Sequence, residues 1–591
     1  MFMGVDTAGA TLNRVSGPKT ASGPSRMAID YKLSKLVIKN FRGIADLQME
    51  LRDKFPSVLI GSNNAGKSTI LNAIALALNS AAFYQWSPEE TDFYSDRNGT
   101  RATDFTVQVH FEADRDEGYP AVHGVGKVFV VHGVQVKGKI TKGGRISHSR
   151  TLLDADLKPI VISTRSPLAG ADKKRFSDHG VDYRPVNARI DDIYEHVPEV
   201  WFFRPQNIEA SLYVWKTGPI QKLSRLLAQR FLVDKWTLKV PGGQREMPAS
   251  LQNAYGFFRR AVEAFPFWVD DMKPTLERIF GRYVGSHAQI DLKPSTQVIE
   301  EWLAQQLAVS LATDPDSAPT PLRSMGDGWQ AVIRLAALEA LAEYKELMRE
   351  RVVLLLEEPE THLHPHLRRR IRKVLGELAS KGWTIVISTH SPELISFDEK
   401  QVITRLVRKE GQVSEGTVHT DRIDLEAKLQ SKLDERGAHD FLFGNCAVFC
   451  EGKDDGFATR LGFDKSNVDY DGRSVSITQC GSVGSIPAFA QISSQLGIRW
   501  CALTDEDLQP DGTVKPMTEK VRNNIEKHRG EADLQLMWPG DLETCFGVAT
   551  GKATPEVVMG KLSDDAWAAN HPEFKTTLAS VAAWIDPAIK I

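Results

Sequence analysis

The sequence predicts an α/β protein: a mixed sheet interrupted by a mostly helical insertion, then a smaller Rossmann-like domain. Three observations carry this. A strand, a Gly-rich loop and a helix follow one another near residue 60, strand, helix and strand alternate between Arg351 and Thr389, and three short apolar strands follow Leu442. With 591 residues, 42% of them hydrophobic and 25% charged, the chain can bury several cores, and length suggests three or four domains.

Lys and Arg total 73 against 76 Asp and Glu, a formal net charge of -3. That balance excludes a uniformly basic, nucleic-acid-coated protein but leaves room for a local basic groove. No run reaches the roughly 18 apolar residues of a membrane helix; even Val352–Leu356 is stopped by Glu357 and Glu358. A protein of the cytoplasm with no membrane partner is expected. The five cysteines, Cys446, Cys450, Cys480, Cys501 and Cys545, lack CxxC spacing, which favours buried thiols over a disulfide framework or a zinc ribbon.

Residues 1–28, rich in Gly, Ser, Thr and Ala, read as a disordered tail. From Tyr31 alternating apolar residues predict two strands around a turn at Gly43. Val58–Ile60 is a short buried strand, and GSNNAGKST runs into the helical LNAIALALN. FTVQVHF and VFVVHGVQVKG continue an antiparallel meander to about Ile140, so 29–153 forms the first part of the sheet unit. Residues 154–309 carry apolar residues at helical spacing and read as the mostly helical insertion, a dimerisation element without sustained heptads. Residues 310–438 return to the sheet: WQAVIRLAALEALAEY, RVVLLLEEPE, HLRRRIRKVLGELASKG and TIVIST give helix, strand, helix and strand, the order of a parallel sheet. The final domain spans 439–591, with NCAVFCEG, SVSITQC and RWCALTDED as its strands.

Gly61, Gly66, Lys67 and Ser68 fit GxxxxGK[ST], whose backbone N–H groups cradle phosphates while lysine reaches β and γ oxygens and serine ligates magnesium. Its position after a strand and at the start of a helix is the context that motif needs. Asn63, Asn64, Gly66, Lys67, Ser68 and Thr69 are the candidate ATP contacts. Mg²⁺ requires a further acid, and VVLLLEEPE delivers Glu357 to hold magnesium or its water, and Glu358 to polarise the attacking water. SMGDGWQ opens a helix with glycines that permit close approach to an anion, and His390 follows TIVIST. In this order they resemble the signature motif and switch histidine of ABC-type ATPases of the SMC/RecF-like group, as do LVIKNFRGI and ETHLHP. The resemblance implies that Ser324, Gly326 and Gly328 contact the γ-phosphate of a second subunit's ATP, hence a homodimer or larger homo-oligomer. The usual Q-loop glutamine has no clear counterpart.

In the last domain Glu451 ends CAVFC and precedes Gly452, Lys453, Asp454 and Asp455, while WCALT ends in Asp505, Glu506 and Asp507. Strand alternation puts Asp505 and Asp507 on one face, a hard-oxygen pair suited to Mg²⁺ or Mn²⁺. Glu-Gly with a distant Asp-x-Asp resembles the Toprim domain, and QCGSVGSIPAF matches the glycine turn between those motifs. An ABC-type ATPase with an insertion and a C-terminal Toprim domain is similar to the overcoming-lysogenization-defect (OLD) endonuclease family, especially at HDFLFGNCAVFCEGKDD. That resemblance implies divalent metal, two ions, at Glu451, Asp455, Asp505, Asp507 and Glu543, with Glu451, Asp505 and Asp507 catalytic beside Glu358 of the ATPase, and a late lysine among Lys552, Lys561 and Lys575.

It also implies an ATP-binding, nucleotide-regulated DNA endonuclease that nicks or cuts double-stranded DNA in bacterial antiphage defence, alone or beside a helicase or retron partner, as in Gabija-type systems. Two other readings remain at this point: a Toprim RNA or tRNA nuclease released by an ATPase sensor, and a non-nucleolytic RecF-like clamp on DNA. The basic runs Arg368–Arg370, Arg259–Arg260 and Lys173–Arg175 read as solvated helix faces, so no further DNA contact is assigned.

Overall fold

The computed structural model describes residues 31–52, 54–113, 120–124, 127–159, 198–204, 223, 237–240, 243–246, 264–284, 289–294, 307–312, 318–321, 324–343, 352–409, 412–422, 433, 439–509, 511–549, 551–564 and 566–589. The N-terminal tail, Arg259–Arg260 and Lys173–Arg175 lie outside them, as do most of the helices expected in the insertion.

Tyr31–Phe41 and Ile44–Glu50 pair antiparallel around the expected turn, and the alternating burial of the second strand marks a sheet covered on one face. Asp104–Ala113, Gly133–Ile140 and Ile146–Leu153 complete a five-stranded antiparallel sheet. The meander therefore runs past Ile140. Lys127–Val130 leaves it to form a separate hairpin with Pro120–Gly124.

The phosphate-loop strand Ser57–Gly61 sits inside a six-stranded sheet ordered Gln412–His419, Val402–Lys409, Ser57–Gly61, Thr384–Ser388, Val352–Glu357 and Glu199–Phe203. All neighbours are parallel except the first pair. Ser57–Gly61, Val352–Leu356 and Thr384–Ser388 are buried throughout, as strands covered on both faces must be. Glu199–Phe203 corrects the sequence reading. It lies within the stretch assigned to the insertion, yet forms the edge of this sheet, because an apolar run of four residues carries no periodicity that separates strand from helix. The remaining described part of that stretch holds the helix Lys273–Val284 together with strands Thr237–Val240, Gly243–Glu246, Gln289–Pro294 and Leu307–Ala312. Leu307–Val309, expected to end a helix, begins the last of these strands.

The C-terminal domain is a four-stranded parallel sheet ordered Val475–Gln479, Cys446–Cys450, Arg499–Asp505 and Leu534–Trp538, with helices between strands. All five cysteines are free and buried, and burial raises every thiol.

The sheets meet across a tight junction. Gly416 backs onto the carbonyl of Gln495 and the backbone of Leu496, where a Cβ would approach within 2.6 Å, so only glycine admits this contact. Arg405, beside the phosphate-loop strand at the register of Ile60, is 6% exposed and donates to Gly444 O at 2.7 Å and Gly497 O at 3.4 Å. Burial lowers its guanidinium to about 10, and among the described residues it has no ion-pair partner. Two carbonyls of the second domain thus hold a buried cation of the first. Arg405→Ala strips both acceptors of their donor and is expected to cost about 2 kcal/mol. The measurement is the apparent thermal midpoint with proteolysis of the 439–445 junction; an unchanged midpoint and cutting rate would remove Arg405 from this role.

Candidate functional site

Parallel strands bring the first site together. Gly61, Glu357 and Ser388 end adjacent strands, so the phosphate loop, the acidic pair and His390 share one edge of the sheet, the edge where ligands collect in such sheets. Gly61 has φ 138°, and a Cβ there would meet Leu406 O at 2.3 Å, so this loop can start only with glycine. The buried Lys67 ammonium donates to Gly61 O at 2.8 Å and Ser62 O at 3.1 Å. Burial lowers its pKa, while Glu358, Glu360 and Glu357 raise it. Asn63 and Asn64 are exposed on the loop, and in the first turn of the helix Lys67–Leu78 Ser68 is exposed and Thr69 half-buried.

Glu358 takes a positive φ of 43° as its N–H donates to Ser388 O, and its Oε1 lies 3.9 Å from His390 Nε2. Glu357 faces Arg204 at 3.7 Å, and Arg204 also donates to Asn72 of the phosphate-loop helix. The sequence reading passed over Glu360. It is buried, and its Oε1 accepts from the Thr389 hydroxyl at 2.7 Å and the His390 N–H at 2.8 Å, fixing the backbone that carries the histidine. The only signal was a third acid in EEPE. Burial and Lys67 lower the His390 pKa, so the imidazole is neutral at pH 7.

Ser324 and Gly326 are exposed and Gly328 is half-buried at the start of helix Asp327–Glu343, where Asp327 lies 3.7 Å from His362. Three of the candidate ATP contacts, Asn64, Gly66 and Thr69, line a cavity of about 530 Å³ together with Arg42, Trp86 and Arg408, with Arg42 paired to Asp92 at 2.8 Å. Of the basic run, Arg368 donates to Leu363 O and Arg370 lies over the Tyr283 ring, structural roles for both.

The second site lies at the C-terminal edge of the smaller sheet. Glu451 follows Cys450, Asp505 ends the neighbouring strand, and Asp541 follows the next one. Burial and then Asp455 raise Glu451. Asp455 is raised to about 6, chiefly by burial, with Glu543 adding to it. Asp505 is raised to about 8 by burial, then by Asp455, Glu451, Asp541 and Asp507. Carboxyls that raise one another sit close without enough positive charge between them. Glu451 Oε2, Asp454 Oδ1 and Asp505 Oδ1 are buried and accept no hydrogen bond. Unpartnered hard oxygens of this kind fit a divalent cation. As placed, no three His, Cys, Asp or Glu side chains among the described residues surround one point closely enough to hold an ion.

Two members differ from expectation. The strand stops at Asp505 and Asp507 has φ 51°, so alternation does not extend to it. Its carboxylate instead accepts from Lys515 Nζ at 2.7 Å and Thr518 Oγ1 at 2.8 Å. Glu543 accepts from Gly551 N–H at 2.9 Å while still raising Asp455. Asp541, read from the sequence as part of the later acidic element Asp541-Leu542-Glu543 but not as a ligand, caps helix Leu542–Phe546 through Thr544 N–H and raises Asp505. Lys515 was missed as well, because a lone lysine in a hairpin carries no motif.

A model of the "Overcoming lysogenization defect protein-like, TOPRIM domain" matches residues 442–507, and one of an "AAA ATPase domain" matches 32–180. The chain carries an AAA ATPase domain followed by an OLD-like Toprim domain. A further AAA domain model matches 260–396. The OLD nuclease of Thermus scotoductus is 29% identical over 238 residues, 39% of this chain and 44% of that protein. The Old nuclease of Escherichia phage P2 is 23% identical over 36% of this chain and 38% of its own length. The chain thus spans less than half the length of these two relatives. An uncharacterized protein of Escherichia coli, YbjD, is 21% identical over 84% of this chain and 83% of its own. The Smc head in the crystal structure with the C-winged helix domain of ScpA is 16% identical, covering 66% of this chain and 97% of that one at a TM-score of 0.40. The ATPase fold rests on the sheet order and phosphate loop above. No described helix is long and apolar enough to cross a membrane.

Proposed function

We propose that this chain is a divalent-metal-dependent DNA endonuclease whose Toprim site cuts or nicks double-stranded DNA under control of its ATPase. What carries the reading is the group Glu451, Asp455 and Asp505, all raised by burial, with Asp455 raising the other two, and with a buried oxygen on each of Glu451 and Asp505 that accepts nothing. Glu451, Asp505 and Asp455 would hold Mg²⁺ or Mn²⁺, with Asp507, Asp541 and Glu543 at the rim. Two such ions, when bound, activate the attacking water and stabilise the leaving oxygen of a phosphodiester. Arg522 keeps the loop in place by donating to Asp505 O and Glu506 O, both at 2.8 Å.

At the ATPase site Lys67 would exchange its loop carbonyls for phosphate oxygens, Ser68 and Glu357 would hold Mg²⁺ when it is bound, and Glu358 would accept the proton of the attacking water while neutral His390 orients it. Ser324, Gly326 and Gly328 close over the γ-phosphate of a partner subunit's nucleotide, which makes the working form a homodimer or larger. The motif resemblance to the OLD endonuclease family is what suggests an antiphage setting in the cytoplasm, with or without a helicase or retron partner.

The test is supercoiled plasmid with Mg²⁺ or Mn²⁺, with and without ATP. Wild type and Lys67→Ala are expected to give nicked and linear products, and Asp505→Ala none. ATP-sensitive cutting in wild type that Lys67→Ala no longer shows places control at the phosphate loop. Absence of cutting by wild type under every condition overturns the DNA reading.

A further inference from the structure

We propose that Lys515 is an internal counterion of the Toprim site: its ammonium occupies Asp507 until a divalent cation arrives, then turns to the scissile phosphate. This rests on the nuclease reading above. The pairing is specific. Lys515 Nζ lies 2.7 Å from Asp507 Oδ1, and Asp505 and Asp541 add to the attraction.

Backbone geometry puts the lysine there. Between Asp507 and Lys515 the chain closes on itself through the Leu508↔Val514 bridge, Gln509 N–H to Thr513 O, and Lys515 N–H to Asp507 O at 3.1 Å. Asp511 fastens the tip by accepting from the Thr513 N–H and hydroxyl. Both ends of the hairpin therefore stand at the carboxylates, whatever the exposed tip does.

The chemistry then has two stages. A monovalent ammonium on one oxygen cannot neutralise Glu451, Asp455, Asp505 and Asp507 together, and a divalent ion among them outcompetes it for Asp507. Displaced but tethered at the hairpin's end, the exposed ammonium remains beside the metal site, where an incoming phosphodiester brings non-bridging oxygens in need of a donor. The same lysine thus weakens metal binding and strengthens phosphate binding. A merely structural lysine would do neither, and Thr518 holds the other oxygen of Asp507 without it.

The experiment uses the full chain with Lys515→Ala and Lys515→Arg. Mn²⁺ binding without nucleic acid is followed by electron paramagnetic resonance, and plasmid cleavage at saturating Mn²⁺ gives kcat and KM. Lys515→Ala is expected to tighten Mn²⁺ by about 3–10-fold while kcat falls by about 10²-fold; Lys515→Arg keeps most of the cleavage. Unchanged or weaker Mn²⁺ binding in Lys515→Ala overturns the counterion. Tighter binding with undiminished cleavage overturns the phosphate role. If wild type cuts no plasmid, the nuclease reading fails, and the Mn²⁺ titration still decides whether Lys515 competes for Asp507.

Discussion

Asp505→Asn is expected to abolish plasmid cleavage, by roughly 10³-fold or more, since it removes a charged ligand from the ions that stabilise the transition state. The same substitution is expected to flatten the pH dependence of stability in chelator. The folded Asp505 carboxyl is raised to about 8 from 3.8, mainly by burial, and Asp455 to about 6. A raised acid means the folded state holds protons the unfolded chain has released. Its stabilising contribution is therefore full below about pH 4 and lost as pH climbs through about 8. Asp507 shifts the other way, held down by Lys515 and Thr518, but its effect falls in the acid range, outside this window. In EDTA the apparent thermal midpoint of wild type should fall between pH 5 and pH 8, and Asp505→Asn should lose much of that slope. Mn²⁺ should restore the midpoint most strongly at pH 8, where the carboxyls are ionised and need a cation. A midpoint that rises with pH in EDTA, or one indifferent to Mn²⁺, would separate these carboxylates from metal binding.

Much of this architecture was legible because the sequence states it locally. GSNNAGKST between Val58–Ile60 and an Ala-rich helix fixes a phosphate loop by residue type alone, and the β-branched start and acidic stop of the short VVLLL run favour a strand covered on both faces, as it is. The Glu451 and Asp505 sites were legible for the same reason, each being an acid at the end of a short buried strand. What escaped depends on tertiary pairing. Glu199–Phe203 is a strand because Val352–Glu357 offers it an open edge, which nothing in EVWFF announces. Asp507 looked like the partner of Asp505 under strand alternation, and one left-handed residue turned it toward Lys515. Glu360 and Asp541 act through a backbone N–H of another segment and through a helix cap with a neighbouring acid, relations visible only once the chain is folded.

Glu358→Gln is expected to leave ATP bound and slow its hydrolysis by about 10²–10³-fold, the range lost with a positioned general base. The geometry separates binding from chemistry here. Lys67, with its donors on the loop carbonyls, and Glu357, facing Arg204, keep their places when Glu358 loses its charge, so KM should move little while kcat falls. Glutamine retains a polar group beside His390 and the same backbone bond to Ser388 O, so the positive φ at this position is undisturbed. Steady-state phosphate release gives kcat, and equilibrium nucleotide binding gives the affinity. If signature segments close over a partner's nucleotide, this variant with ATP should also sediment as the larger species, because the bound triphosphate is no longer consumed. Glu360→Gln provides the contrast: it disturbs the hold on Thr389 and His390 without removing the base, and should cost only about 10-fold in kcat. Hydrolysis that persists in Glu358→Gln but collapses in Glu360→Gln would transfer the role of base away from Glu358 and make the His390 backbone the deciding element of the site.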